Sequence, residues 1–98
     1  MATLHIEHPI SDLDVWLGAF TNFADARKNA GVRAQRVRQP VDDARFIVVD
    51  LEFDDAEAAR GFQTFLEDVV WQSRELSPGL DGVPVARVLE DVDLGHPG

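Results

Sequence analysis

The stretch Phe46-Ile47-Val48-Val49-Asp50-Leu51-Glu52-Phe53, running straight into Asp54-Asp55-Ala56-Glu57, decides the fold. Ile47, Val49, Leu51 and Phe53 alternate with Phe46, Val48, Asp50 and Glu52, and a period of two puts the first set on one face of a strand and the second on the other. The first face reads as core, while the second is mixed. Asp54 with Glu57 three residues later resembles a capping box, and Ala58, Ala59, Phe62, Phe65, Leu66, Val69 and Val70 continue as an amphipathic stripe. A helix is expected from there to about Ser73. Projected from Phe62 at about 100° per residue, Trp71 falls on the side away from the stripe, beside Arg60, Thr64 and Glu67. Either Trp71 faces outward, as a dimer contact or ligand platform, or the helix breaks near Thr64 to Glu67 and turns it inward.

Upstream, Val32 to Gln39 is polar and rich in arginine and is followed by the turn residues Pro40-Val41-Asp42-Asp43, which reads as a short edge strand closing a hairpin. Before it, Ser11 is a plausible N-cap, with Asp12 and Asp14 in the first turn of a helix. Leu13, Trp16, Leu17, Phe20, Phe23 and Ala24 recur at helical spacing, and Arg27, Lys28 and Gly31 supply a cationic last turn and a C′ glycine. Thr3 to His8 alternates apolar and polar up to Pro9 and reads as the first strand. Downstream, the Pro-Gly and Asp-Gly steps between Ser77 and Pro84 make a loop, Val85 to Glu90 forms a last strand, and a frayed tail is expected over residues 93–98.

Strand, helix, strand, strand, helix, strand is an α+β order, the ferredoxin-like β-α-β-β-α-β arrangement, in which right-handed crossovers give a four-stranded antiparallel sheet with both helices on one face. The opposite face, with Phe46 and Val48, is left uncovered, so sheet-to-sheet packing of a second copy into a homodimer is expected. The 98 residues, 45% of them hydrophobic, suffice for one domain over residues 1–98 and not for two. Cysteine is absent, which removes disulfides, thiolate catalysis and zinc-thiolate sites. A net charge of −9 argues against nucleic acid as a partner. No apolar run approaches the roughly 20 residues of a membrane span and no secretory signal is read ahead of the first strand, so no membrane partner and a cytoplasmic location are expected.

His8-Pro9-Ile10-Ser11-Asp12-Leu13-Asp14-Val15-Trp16, Arg27, Ala30-Gly31-Val32 and Leu51-Glu52-Phe53-Asp54-Asp55 together resemble the dimeric α/β-barrel superfamily over nearly the whole chain. The resemblance is nearest to small members of no known activity related to the antibiotic-biosynthesis-type monooxygenases. It implies a barrel made of two sheets in a homodimer, with a pocket between sheet and helices in each subunit. The activities it spans include cofactor-independent monooxygenases, haem degraders and polyketide cyclases, so function does not follow from the fold. In the monooxygenase pattern an acidic residue stands two before the aromatic that ends the third strand and a histidine nine after it. Those places hold Leu51 and Phe62, which transfer no proton and ligate no metal. Haem degraders of this type place an axial histidine on the second helix, whereas His5, His8 and His96 all lie elsewhere. No cofactor is expected.

His8 shares the strand face of Leu4 and Ile6, toward the pocket that the resemblance implies, and is the candidate catalytic residue, an imidazole fit for general acid or base work. The plainer reading has it hydrogen-bonded to a backbone carbonyl or near Ser11. Trp16, on the apolar stripe of the first helix, and Trp71 are the candidate ligand-binding residues, with core packing as the alternative for Trp16. His5 and Glu7 share the other face, with Asp50 or Glu52 across from them. They serve either polar contacts at the dimer interface or a shifted pKa or metal, and no metal ligand is assigned. Arg27, Lys28, Arg33, Arg36 and Arg38 suggest an anion site or, more simply, a charged edge strand. Phosphate loops, nucleophile elbows and metalloprotease motifs are absent from the sequence. Two functions follow as expectations. One is a homodimeric protein that binds a small hydrophobic or aromatic compound, either as a binding protein or as an enzyme of monooxygenase or cyclase type without a cofactor; the other is a non-catalytic structural or interaction dimer with a filled barrel.

Overall fold

A computed structural model describes residues 1–95. The tail expected to fray runs on into residues 96–98, which lie outside the described residues, as does His96. Strands β1 (Ala2–Pro9), β2 (Ala34–Arg38), β3 (Phe46–Phe53) and β4 (Val85–Glu90) form one antiparallel sheet in the order β2-β3-β1-β4. The two central strands alternate as the sequence implies. Ala2, Leu4, Ile6 and His8 of β1 and Ile47, Val49, Leu51 and Phe53 of β3 are buried, while the residues between them are half-buried. Helices α1 (Leu13–Asn22), α2 (Ala24–Ala30) and α3 (Ala56–Phe65) close over the buried face, led by Trp16, Ala59 and Phe62. Fully burying a side chain such as Leu4, Ile47, Leu51 or Phe53 contributes about 1.5–3 kcal/mol, so the β1–β3 pair dominates the core.

Both helix starts lie one residue later than the sequence suggests, for a local reason in each case. The Ser11 amide donates to the Gly79 carbonyl (3.0 Å) beside a bridge between Ile10 and Leu80, which commits Ser11 to the loop. Asp12, in extended backbone, therefore caps α1 by accepting from the Val15 amide. Likewise Asp54 is engaged by Arg33 at 2.7 and 3.1 Å, and Asp55 caps α3 through the Ala58 amide. Gly31 ends α2 at φ 96°, a left-handed cap that glycine adopts without Cβ strain.

The single first helix expected from the sequence is two helices meeting at Phe23. Thr21 Oγ1 donates back to the Leu17 carbonyl at 2.8 Å, a bond that bends helices, and the Phe23 amide closes a tight turn onto the Phe20 carbonyl at 3.2 Å. The second helix is also interrupted. After Phe65 the chain makes a π-helical turn, Leu66–Val70, closed by the Trp71 amide on the Leu66 carbonyl at 2.8 Å. That wider turn resets the helical phase and brings Trp71 against the core, the second of its two expected placements. Ser77 to Leu80 then pass so close to α1 that a Cβ on Gly79 would stand 2.8 Å from Trp16 main-chain atoms.

Candidate functional site

Between the sheet and α1, α2 and α3 lies a cavity of about 80 Å³ with a mainly apolar wall. His8, at the C-terminal end of β1, lines it together with Trp16 and Trp71, so the structure brings the three candidate site residues to one cavity. The Trp16 ring stacks on Phe20 at 4.8 Å between centroids and is tilted against His8 at 6.4 Å. Trp16 is both a core residue and cavity wall.

The geometry of His8 fixes its chemistry. Its Nδ1 lies 2.8 Å from the Pro9 carbonyl oxygen, which only accepts, so Nδ1 carries the proton and donates. Nε2 then bears the lone pair. No hydrogen bond reaches Nε2 among the described residues, and no buried side-chain nitrogen there is sealed without a partner, so Nε2 meets open space although His8 is only 4% exposed. Burial pushes the His8 pKa below its ordinary value, with the Pro9 bond offsetting part of that, and the ring is neutral at pH 7. The same Pro9 oxygen accepts from the Asp81 amide at 3.1 Å, which ties the loop to the tautomer. The expected carbonyl bond and an available base therefore coexist in one side chain.

Arg27 belongs to this site too, and the sequence reading does not find it. It stands there as a cation of the helix end, yet it is 6% exposed and lines the cavity. Nε donates to Gln35 Oε1 at 3.0 Å, Nη1 donates to the Phe20 carbonyl, and the guanidinium carbon sits 3.6 Å from the centre of the Phe20 ring. Burial lowers its pKa, and a guanidinium keeps its charge in a protein. The signal was its spacing, since Arg27 follows Phe20 and Phe23 by seven and four residues and so continues their stripe. The other arginines of that stretch do not join it: Arg33 pairs with Asp54 and Arg38 with Asp50 (2.6 Å).

On the opposite sheet face His5 meets Asp50 at 2.6 Å and Glu7 at 3.3 Å, the Asp50 contact being the register partner that the sequence leaves open. Glu52 instead accepts from Thr3 Oγ1 at 2.8 Å. Desolvation opposes the His5 charge, but the hydrogen bonds and fields of Asp50 and Glu7 outweigh it and raise its pKa. Among the described residues no group of three or more such side chains is placed to hold a metal ion.

No protein family and no curated protein matches the chain. Solved structures do. An antibiotic biosynthesis monooxygenase superimposes with a TM-score of 0.68 at 14% identity, over 95% of this chain and 100% of that one. A dimeric ferredoxin-like protein from an uncultured marine organism gives 0.57 at 14% identity, over 93% of this chain and 96% of that one. The chain has the ferredoxin-like fold. A monooxygenase from the ActVA-Orf6 gene of Streptomyces coelicolor, in complex with nanaomycin D, shares this fold at a TM-score of 0.62 and 12% identity, over 99% of this chain and 92% of that one. Within the ferredoxin-like frame, Leu51 and Phe62 both reach the cavity wall as apolar side chains, on the same wall as His8.

Proposed function

We propose that this chain is a homodimer that binds a small hydrophobic or aromatic compound in the cavity beside His8, and that His8 serves as general base in a reaction needing no cofactor. One observation carries the reading: an imidazole whose tautomer is fixed by a backbone carbonyl turns its lone pair to open space in an apolar cavity. In such a step an acidic C–H or O–H of the ligand gives its proton to Nε2, leaving the electron pair on the ligand, and the proton returns to product. The Streptomyces monooxygenase of the same fold, solved in complex with nanaomycin D, supports a small-molecule ligand. At about 80 Å³ the cavity holds a few waters or part of a ring, against the roughly 300–1,000 Å³ of typical ligand sites. A whole ligand therefore needs the lining side chains to give way.

That small volume favours the second reading, a non-catalytic dimer whose interior is filled by its own side chains. Native mass spectrometry of protein purified from its own organism separates the two. A retained small molecule is expected, and protein that is repeatedly ligand-free speaks for the filled dimer. With any turnover in hand, His8→Asn is expected to lower it by about 10²–10⁴-fold, the usual worth of a positioned base. Unchanged turnover removes His8 from the role.

A further inference from the structure

Arg27 is a buried cation without a counter-charge among the described residues. The chain carries 18 acidic residues against nine basic ones, yet among the described residues none of the ion pairs involves Arg27. Its two engaged nitrogens meet neutral acceptors, the Gln35 side-chain oxygen and the Phe20 carbonyl. The third, Nη2, has no acceptor among the described residues and is not sealed off, so it reaches accessible space. The same holds for the indole N–H groups of Trp16 and Trp71, and all three side chains line the one cavity. Desolvating a guanidinium is costly unless an anion offsets it, and a neutral cradle of this kind leaves that offset undone. Three unspent donors, Arg27 Nη2 and the two indole N–H groups, thus belong to side chains that line the cavity, and so does one unspent acceptor, His8 Nε2.

We propose that the cavity ligand bears an anionic oxygen on an aromatic ring, a carboxylate or phenolate, which Arg27 binds through Nη2 while the ring packs among Trp16, Phe20 and Trp71. This rests on the small-molecule reading above and names its substrate class. The main-chain bond from Nη1 to Phe20 and the stacking on the Phe20 ring hold the guanidinium still, so little order is lost when an oxyanion docks. It also fits base chemistry at His8, because charge left on an enolate or phenolate oxygen after proton removal meets a fixed cation.

The test is a titration of the folded protein with benzoate, its neutral isostere benzamide, and toluene. Tryptophan emission is the readout, since the chain has two tryptophans and no tyrosine, together with the Arg27 Nε–H signal in ¹⁵N NMR. Benzoate is expected to bind about tenfold or more tighter than benzamide, the worth of a charge-assisted hydrogen bond over a neutral one, and to move the Arg27 signal. Arg27→Met is expected to abolish that preference and Arg27→Lys to keep part of it. Should either variant fail to fold, the benzoate-to-benzamide ratio and the Arg27 signal of the unmodified protein decide alone. Equal binding of benzoate and benzamide overturns the anion proposal and leaves the apolar-ligand reading intact. If none of the three probes binds at millimolar concentration, both readings fall.

Discussion

His8 and His5 lie three residues apart on one strand, and their environments drive them in opposite directions. His8 is desolvated without a carboxylate, whereas His5 sits between Asp50 and Glu7. His8 binds its proton more weakly in the fold than in the unfolded chain, so its contribution to stability is complete above about pH 6.5 and is lost as pH falls toward its folded pKa. His5 does the reverse: its contribution is complete below about pH 6.5 and is lost as pH rises through its raised folded value. Urea midpoints measured from pH 5 to 8 are expected to show both slopes. His8→Gln should flatten the acid side alone and His5→Gln the alkaline side alone. An acid-side slope untouched by His8→Gln would contradict the buried neutral ring.

Local bonds, rather than composition, set where each helix begins. Asp55→Ala is expected to cost about 1 kcal/mol through loss of the Ala58 amide bond. Asp54→Ala, which breaks a solvent-exposed pair with Arg33, should leave the thermal midpoint near that of the unmodified protein. A reversal of this order, read by thermal denaturation, would place the cap back on Asp54. The strands were legible because alternation over eight residues survives any tertiary arrangement, and the Gly31 cap because a left-handed residue selects glycine. Helix starts were not, since adjacent candidates, Ser11 with Asp12 and Asp54 with Asp55, are told apart only by distant groups, the Gly79 carbonyl and Arg33. His8 was visible on its strand face, while Arg27 was hidden: an arginine in a cationic last turn reads as a surface residue, although its spacing continues the stripe of Phe20 and Phe23 into the core. Trp71 shows the limit of a fixed 100° projection, which a single π-helical turn undoes.

For the molecule as a whole, the sheet face away from the helices sets Val48 of β3 and Val85 of β4 on either side of Glu7, with Phe46 next to Val48 on β3, while Leu89 lies at the other end beside Thr3; Val85 and Leu89 are more than 40% exposed. Between Val48 and Val85 on one side and Leu89 on the other the register sets a polar row, Arg36, Asp50, His5 and Arg87. An antiparallel sheet exposed on one side is ordinary, but the apolar side chains Phe46, Val48 and Val85 at one end of it, beside a paired polar row, suit sheet-to-sheet contact with a second copy. Light scattering at micromolar concentration is expected to give twice the chain mass, and Val48→Asp, placed between Arg38 and Glu7 in the register, to give a monomer that keeps its fold by circular dichroism. A Val48→Asp dimer would move the interface elsewhere. The register has a last consequence, for how such a chain diverges. Cavity residues and open-face residues alternate along the same two strands, His8 facing Ile47 and Glu7 facing Val48, so inserting or deleting one residue within β1 or β3 would exchange the two sets wholesale. A one-residue change of length is therefore costly within these strands and far less so in the turn at 39–45, whereas a substitution on either face leaves the other face as it was.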